Sequence, residues 1–301
     1  SIAIGANAGQ LLKNGAVGAV HIGHEAGRHA SGSYNISMGY NALKGTSSAP
    51  YATGESNIAI GTQAIVSLTS GESNNAIGYQ AGYLISSGSN NTLMGYQAGY
   101  SLGGTVMNVM IGDYAGRSSR VINNRQVFVG HSAGRYVDTG VANVAIGWHA
   151  MESANSSTDN NANNNVAVGY QALEKITDAD ANTAVGKEAG QNITTGNQNT
   201  FIGNNAGQYS VTSAQNVMVG LSAGLAATDV DRTVLMGWNA GRNTTADGTI
   251  AIGHQALLEH TTGARNIAIG YQAMDDTDAG SNSLGSTDNI FMGYNAGGGT
   301  W

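Results

Sequence analysis

The sequence has no cysteine, a single proline and few charged residues, which make up 10% of its 301 residues. Without cysteine, the chain forms no disulfides and carries no thiol chemistry. It has only 12 lysines and arginines and a net charge of −7, which argues against nucleic-acid binding, because a phosphate backbone requires basic patches. It also lacks any run of 18 apolar residues, so we expect no membrane insertion in this segment.

Glycine, by contrast, is abundant, and much of it belongs to a repeated motif whose clearest copy is N-I-A-I-G-Y-Q-A at Asn266 to Ala273. The motif glycine occurs 17 times, most often at a spacing of 17 residues. Its positions are 5, 23, 39, 61, 78, 95, 112, 130, 147, 169, 186, 203, 220, 237, 253, 270 and 293. A period this short is typical of a solenoid, in which each repeat forms one turn of a coil. We therefore predict an all-β fold, a parallel β-solenoid or β-roll of about 17 short coils, over residues 1–301 as a single segment.

The residues just before the motif glycine predict a strand in every repeat. Position −1, counted from that glycine, is Ile, Val or Met in all 17 copies, and position −3 is Ile, Val or Thr in all but one, which has Asn75. Such β-branched runs ending at glycine favour short strands. Because side chains alternate along a strand, positions −3 and −1 share one face and position −2 points to the other. Both faces are apolar, which predicts burial on both sides.

Positions −2 and +4 never both carry a large side chain. Position +4 is Gly wherever −2 is large, as at Gly207 with Phe201, and −2 is Ala or Ser wherever +4 is large. Because close-packed interiors conserve volume, we predict that the two positions fill one shared space inside the coil. On this basis we expect Gly190→Leu, opposite Ala184, to be tolerated better than Gly207→Leu.

Three further positions have local explanations. Glycine in every copy at position 0 predicts a positive φ or a close backbone approach. Alanine in every copy at +3 predicts a contact with no room for a γ-carbon. Asparagine at −4 in 12 of 17 copies predicts a ladder of amides that bond one coil to the next.

The −3 and −1 row lies on the outside of the predicted coil. Left open, it would form a very large apolar patch, which soluble monomers do not tolerate. We therefore predict that the same row from sister chains covers it, in a homotrimer with parallel, in-register subunits.

An aromatic row accompanies the strand. Position +1 is Tyr, Trp or His in 11 copies, and +2 is Gln or Asn in 11. One interpretation is a stripe that binds a sugar or a surface; the other is a packing ladder between chains, with the phenol groups reaching water. The candidate ligand-binding residues are Tyr51, Tyr79, Tyr96, Trp148, Tyr170, Trp238, Tyr271 and Tyr294.

Three long connections interrupt the regular spacing, at residues 46–56, 152–164 and 275–288. They have the polar, turn-rich composition of surface loops, which often bind ligands in repeat proteins and are also tolerated without a function. We expect binding specificity to lie there; alternatively, this segment only spaces a binding tip located elsewhere. Because the chain begins in mid-motif, we expect it to be a segment of a longer protein.

The sequence predicts no metal, cofactor or catalytic site. His21, His24, Glu25 and His29 are close together, but they occupy repeat positions that point to different surfaces and lack tetrahedral ligand spacing. No nucleophile elbow, phosphate loop or zincin motif is present, and no glutamate is singled out as a glycosidase acid. We therefore expect no enzymatic activity.

Pairs of aspartates recur before the motifs. Calcium favours such oxygen clusters, but the Gly-rich nonapeptide that binds it is missing, so we interpret the pairs as solvated turn residues. The pairs are Asp178 with Asp180, Asp229 with Asp231, and Asp276 with Asp278.

The motif and its variants, N-V-A-I-G-W-H-A at Asn143 and N-V-A-V-G-Y-Q-A at Asn165, resemble the YadA-like head repeat of trimeric autotransporter adhesins. The G-Y-Q-A-G form is also similar to repeats of phage tail-fibre proteins. The resemblance covers nearly the entire chain. It implies a left-handed parallel β-roll, three intertwined or abutting chains, and adhesion to a host or matrix.

Repeat and resemblance together predict a structural and adhesive extracellular fibre, on a cell surface or a virion tail, that attaches to a host-surface receptor or glycan. The alternative is a trimeric tailspike with glycan hydrolase activity, which aligned acidic pairs in a groove between coils would favour. A monomeric ice-binding or surface-binding solenoid would need a flat threonine-rich row, which the sequence does not contain.

Overall fold

The computed structural model describes residues 1–12, 16–46, 51–118, 124–153, 160–259, 262–275 and 285–298. In these residues each repeat contributes one three-residue strand that ends just before the motif glycine. The strands are β1 (Ile2–Ile4), β2 (Val20–Ile22), β3 (Ile36–Met38), β4 (Ile58–Ile60), β5 (Asn75–Ile77), β6 (Thr92–Met94), β7 (Val109–Ile111), β8 (Val127–Val129), β9 (Val144–Ile146), β10 (Val166–Val168), β11 (Thr183–Val185), β12 (Thr200–Ile202), β13 (Val217–Val219), β14 (Val234–Met236), β15 (Ile250–Ile252), β16 (Ile267–Ile269) and β17 (Ile290–Met292). Within the described ranges, no helix has the length and apolar character needed to cross a membrane.

The contacts divide the chain into two compact units. The first contains residues 1–149 with 160 and 161, and carries β1 to β9; the second contains residues 150–153 and 162 onward, and carries β10 to β17. In each unit, successive strands pair in parallel and residue for residue, so that Ala184 pairs with Phe201 and Phe201 with Met218. Each unit is therefore a parallel β-solenoid, which confirms the predicted fold class. One continuous segment over residues 1–301 stays a prediction.

The interior of each coil is filled by side chains from positions −2 and +4, as the volume exchange predicts. A Cβ added at Gly207 would overlap the ring of Phe201, and one added at Gly241 would lie 2.5 Å from Cδ2 of Leu235. A third inward position, +7, was not predicted. It places Ile176, among others, in the core with no exposed surface.

The vacant space on which we based the expectation that Gly190→Leu is tolerated better than Gly207→Leu is not present, so that ranking stays a prediction. Although Ala184 leaves space in the coil of Gly190, neighbouring coils already fill it. A Cβ at Gly190 would lie 2.6 Å from Cδ2 of Phe201 and 2.8 Å from Cδ2 of Leu173. The shared volume therefore extends along the solenoid axis and is not confined to one coil.

Both explanations offered for the motif glycine are confirmed. At Gly186 the φ angle is 137°, and an added Cβ would lie 2.5 Å from the carbonyl oxygen of Gly203 in the next coil. The two turn residues at +2 and +4 are also left-handed in this chain: φ is 59° at Asn205 and 49° at Leu173. Between them, the +3 alanine is fully buried, for example at Ala206.

The predicted amide ladder runs through the buried asparagines at position −4. The backbone N–H and the side-chain Nδ2 of Asn199 both donate to Oδ1 of Asn182, each at 2.9 Å. Nδ2 also donates to the carbonyl oxygen of Ser213 at 2.7 Å, and Oδ1 accepts two bonds from Asn216. Each amide thus supplies hydrogen-bond partners to buried peptide groups that water cannot reach.

Candidate functional site

The outward side of the strands is an uncovered apolar surface, which we name the outer face and define as positions −3 and −1 of β1 to β17. From β2 to β16 the −2 side chains between them are buried within the coil, whereas Val185, Ile202 and Met236 at −1 are each about 40% exposed. Side chains of equal position stand next to one another in adjacent coils, because the strands pair in register, as Ile202, Val219 and Met236 do at −1. Each unit therefore carries a continuous apolar row at −1, beside a −3 row that is mostly Ile or Val with some Thr and Asn75.

The candidate aromatic residues lie mostly in one column, two residues beyond the −1 row, but they form separate groups. Tyr79 and Tyr96 stack at 5.1 Å between ring centroids. In the second unit, His254, Tyr271 and Tyr294 stack in succession, at 4.7 and 5.3 Å. The rings in these groups remain partly exposed.

The other candidates have different neighbours. Trp238 meets His254 edge to face at 4.5 Å, and Trp148 stacks with His131 at 6.2 Å. Lys187 lies 5.9 Å from the ring centroid of Tyr170. Tyr51 lies apart from the column, because it belongs to a connection and stacks on His29 at 6.2 Å.

The stacking determines what the aromatic column offers to a ligand. In a ladder of nearly parallel rings, such as Tyr79 and Tyr96 at 12°, each ring covers a face of its neighbour. The faces that the two rings turn towards each other are therefore not open to a ligand. Sugars bind aromatic side chains mainly through ring faces, whereas edges and hydroxyl groups suit packing with a partly wet boundary. Burial and the neighbouring phenols of Tyr114 and Tyr79 raise the pKa of the Tyr96 hydroxyl.

A second aromatic column at position +5 was missed by sequence reasoning. Tyr83 and Tyr100 stack at 5.0 Å with an angle of 1° between their planes. The next two residues of the column are Arg117 and Arg135, and their guanidinium groups lie 5.7 and 4.9 Å from the ring centroid of Tyr114. The signal was present as a shared repeat position, but the change from tyrosine to arginine along the column concealed it.

The amides at position +2 connect these columns. Gln80 donates to Gln63 at 2.9 Å, and Gln97 donates to Gln80 at 2.7 Å. Nε of Arg117 then donates to Oε1 of Gln97 at 2.8 Å. This chain of bonds holds the row in place and orients the guanidinium group of Arg117.

The histidine cluster near the N-terminus is divided between surfaces, as its repeat positions predict. His21 is buried, and its Nδ1 lies 2.8 Å from Oγ of Ser37. His24 is exposed and stacks on Tyr40 at 5.5 Å. Glu25 instead forms ion pairs with Arg28 and Lys44, and the hydrogen bond from Lys44 lowers the pKa of its carboxyl group.

The aspartate pairs that the structure describes behave as turn residues. Oδ1 of Asp180 accepts the backbone N–H of Asn163 at 2.7 Å, and Oδ1 of Asp231 accepts that of Ala214 at 2.8 Å. Asp229 accepts the hydroxyl of Thr212 at 2.6 Å. These carboxylates therefore satisfy backbone and hydroxyl donors of the preceding coil. Asp276 and Asp278 lie outside the described residues.

Much of the three long connections, namely residues 47–50, 154–159 and 276–284, lies outside the described ranges, so their role in binding stays a prediction. No protein-family model matches this chain, and no curated protein is similar to it in sequence.

Proposed function

We propose that this chain is a structural and adhesive fibre, in which three parallel, in-register copies pack through their outer faces. The assembly attaches to a host cell or surface, as part of an extracellular structure on a cell surface or a virion tail. The observation that supports this proposal is the uncovered outer face.

The outer face requires a cover for energetic reasons. Burying apolar surface contributes roughly 25 cal/mol for each Å² removed from water. Soluble monomers rarely leave contiguous apolar patches larger than a few hundred Å² exposed, and such patches mark interaction sites. Here partly exposed aliphatic side chains, such as Ile202 and Met236, recur in coil after coil. A surface of this kind is most stable against another surface of the same kind.

A second copy of the chain is the partner that fits. The outer face repeats with the period of the coil, so a parallel copy in register meets an identical row at every level. A closed rotational arrangement covers the face of every copy and leaves no open end for further growth. The number three comes from the resemblance to YadA-like head repeats, whose chains form trimers.

The threefold repetition of the surface would allow the assembly to attach strongly to a host. A threefold assembly presents every surface feature three times, so that weak single contacts add up to strong adhesion. The hydrogen-bonded amide ladder and the register of the strands give each unit the rigidity that a display scaffold needs.

The oligomeric state tests the proposal directly. In light scattering, the purified chain should have three times the mass of one copy. Ile202→Asp and Met236→Asp together would place carboxylates on the outer face and should produce monomers. Gln198→Asp is the matched control, because Gln198 is exposed in a column away from the strand. A folded monomer of the unmodified chain would contradict the proposal.

The same preparations separate a fibre from a tailspike enzyme. Incubation with host-type oligosaccharides, followed by mass spectrometry, should show no shortened products. Products released by the intact chain would instead support glycan hydrolase activity.

A further inference from the structure

The second unit contains an open slot at position −5, five residues before the motif glycine. Arg232 and Arg265 form its two walls, and Gly248 lies between them in the intervening coil. Asp247 and Ala264 complete the lining, and the cavity has a volume of about 410 Å³. This volume lies within the range of about 300–1,000 Å³ that is usual for small-molecule sites.

The slot exists because one coil lacks a side chain where its neighbours have long ones. The coil that contains Gly248 is one residue short: its motif glycine, Gly253, follows the preceding one, Gly237, by 16 residues rather than 17. A Cβ at Gly248 would meet only Cγ of Arg265, at 3.4 Å. Since neighbouring coils are about 4.8 Å apart, the two arginine walls stand roughly 10 Å from one another.

A glycine at this position does not by itself make a slot. In the first unit, Gly18 occupies the same repeat position, and there the ring of Tyr34 lies over it: an added Cβ would be 2.7 Å from Cδ1 of that ring. The two sites differ in the next coil: the ring of Tyr34 overlaps the position of a Cβ at Gly18, whereas Cγ of Arg265 is only in van der Waals contact with a Cβ at Gly248.

The backbone holds the slot in a fixed shape. The N–H of Gly248 donates to the carbonyl oxygen of Asp231 at 2.9 Å, and the N–H of Arg265 donates to that of Asp247 at 3.0 Å. The carboxylate of Asp288 accepts two hydrogen bonds from Arg265, one from Nε at 2.6 Å and one from Nη2 at 2.7 Å. One wall is therefore oriented before any ligand arrives, which reduces the entropy lost on binding.

The other wall keeps its hydrogen-bonding capacity. The guanidinium group of Arg232 lies 3.9 Å from Oδ2 of Asp247, too far for a hydrogen bond, and its side chain is 66% exposed. Oδ1 of Asp247 already accepts the backbone N–H of Asp231 at 2.9 Å, whereas Oδ2 is the oxygen that lies 3.9 Å from Arg232. The slot thus combines a planar cationic donor, a carboxylate acceptor and a glycine without a side chain.

We propose that this slot binds an acidic sugar residue, with the sugar carboxylate on Arg232, its hydroxyl groups donating to Asp247, and its ring over Gly248. A guanidinium group matches a carboxylate in two parallel hydrogen bonds, a carboxylate of the protein accepts from sugar hydroxyls, and a bare glycine admits a ring. The inference rests on the proposed attachment function and names its ligand class.

The test uses the full chain with two acidic probes, oligogalacturonate and sialyllactose, and two neutral ones, a maltooligosaccharide and lactose. Titration calorimetry should detect the acidic probes and not the neutral ones. The two acidic arms distinguish a uronic acid from a sialic acid as the source of the carboxylate. Equal binding of acidic and neutral probes, or no binding of either acidic probe, overturns the proposal.

Variants locate the binding. Arg232→Gln should weaken it about tenfold or more, since it removes a charged hydrogen-bond donor, and Arg232→Lys should retain part of it. Gly248→Gln should block the slot, and the fold accommodates glutamine in this column, because Gln215 and Gln198 stand there with φ angles of 62° and 61°. Unchanged binding in both Arg232→Gln and Gly248→Gln would overturn the proposal.

Arg125→Gln is the matched control. Arg125 is exposed at the same repeat position in the first unit, but Met107 and Ala142 are its neighbours in the column, without a glycine. This variant should bind like the unmodified chain. Light scattering on the same samples keeps the two proposals separate: a trimer that binds no acidic probe refutes the slot alone, and a monomer that binds one refutes the fibre alone.

Discussion

The ring of Phe201 occupies the space that any side chain at Gly207 would need, although the two residues lie six positions apart in the same coil. Phe201 lies in strand β12, whereas Gly207 is the left-handed +4 residue of the turn that follows it, with φ at 57°. Because Leu173 adopts a φ of 49° at the equivalent position, the backbone does not demand glycine there. The ring does.

Gly207→Leu should therefore destabilise the chain through overpacking, by about 1–3 kcal/mol. The double variant Gly207→Leu with Phe201→Ala, which restores the pairing seen at Leu173 with Ala167, should recover part of that loss. Denaturant unfolding of the three proteins measures both effects. A double variant no more stable than the single one would show that the two side chains do not share a space.

Gly190→Leu should also destabilise, contrary to what the composition of its own coil suggests. The Cδ2 atoms of Phe201 and Leu173 reach into this position from the two adjacent coils. The small side chain of Ala184 therefore does not indicate vacant volume. Denaturant unfolding of Gly190→Leu, compared with that of the unmodified chain and of Gly207→Leu, measures the loss of stability.

Asn199→Ala should cost on the order of 3 kcal/mol, because it leaves the N–H groups of Asn216 and the carbonyl of Ser213 without their buried partner. Asn199→Thr should cost less, since a hydroxyl can still reach the ladder, as Thr233 does by donating to Asn216 at 2.8 Å.

The control for the ladder is Asn197→Ala. Oδ1 of Asn197 accepts the N–H of Asp180 at 2.6 Å in an exposed position, where water can replace it. Its loss should cost less than about 1 kcal/mol. Similar losses at Asn197 and Asn199, measured as shifts of the urea midpoint, would mean that burial of the ladder contributes nothing.

The features that could be predicted from the sequence are those that every coil repeats. Glycine at position 0 and alanine at +3 occur in every copy, and asparagine at −4 in 12 of 17, because each position meets the same kind of neighbour from coil to coil. The exchange between −2 and +4 was visible for the same reason. These positions were sufficient to give the strands, their parallel register and the inner side of the coil.

The inward position +7 could not be predicted, because its residue type changes along the chain. It is Ile176 and Ile193 in two coils but Ser210, Ala227 and Thr244 in others, and all five are buried. Contacts between coils were hidden as well. Gly190 is restricted by residues 17 and 11 positions away, which no pattern within a single repeat could reveal.

The candidate site shows the same limit. The aromatic column at +1 was visible as a shared residue type, whereas the slot at Gly248 depends on a side chain that is missing between Arg232 and Arg265. Such a gap becomes meaningful only when the neighbouring coils are placed beside it. The two outcomes for glycine at this position, open at Gly248 and covered at Gly18, depend on the residue of the next coil.

His21 should make folding sensitive to acid. Burial lowers the pKa of its imidazole from 6.5 to about 4. Since the folded pKa lies below the unfolded one, the neutral ring stabilises the fold fully above pH 6.5. This contribution is lost as the pH falls from 6.5 towards 4, because only the unfolded chain then binds the proton. At 1.36 kcal/mol for each pKa unit, the total loss is about 3 kcal/mol.

The comparison variant is His21→Leu, which fits the interior because Gly27 occupies position +4, as Gly99 does beside Leu93. Its free energy of unfolding should decline less than that of the unmodified chain between pH 7 and pH 4.5. The difference isolates His21 from other groups, such as His29, whose pKa is also lowered by burial. Parallel curves for the two proteins would refute the assignment.

Two tyrosine pairs that stack alike but lie in different columns can decide what the aromatic row does. Tyr79 with Tyr96 stacks at 5.1 Å and borders the outer face, whereas Tyr83 with Tyr100 stacks at 5.0 Å at position +5. Replacing either pair with alanine removes one stacked contact, worth about 0.5–1.5 kcal/mol. It also removes one further contact of the second ring, which Tyr96 makes with Tyr114 at 5.2 Å and Tyr100 makes with Arg117 at 5.9 Å. The stability of the single chain should therefore fall by a similar amount in both variants.

Association between copies should separate them. If the +1 row packs between chains, as its covered ring faces suggest, the Tyr79→Ala and Tyr96→Ala variant should dissociate at a protein concentration at which the unmodified trimer and the Tyr83→Ala and Tyr100→Ala variant remain intact. Sedimentation over a dilution series measures this. If instead the first variant stays trimeric but loses attachment to its surface, the row binds a ligand, and the packing interpretation is wrong. Equal dissociation of both variants would also contradict the packing interpretation, because the loss of ring stacking within one chain would then explain why the trimer dissociates.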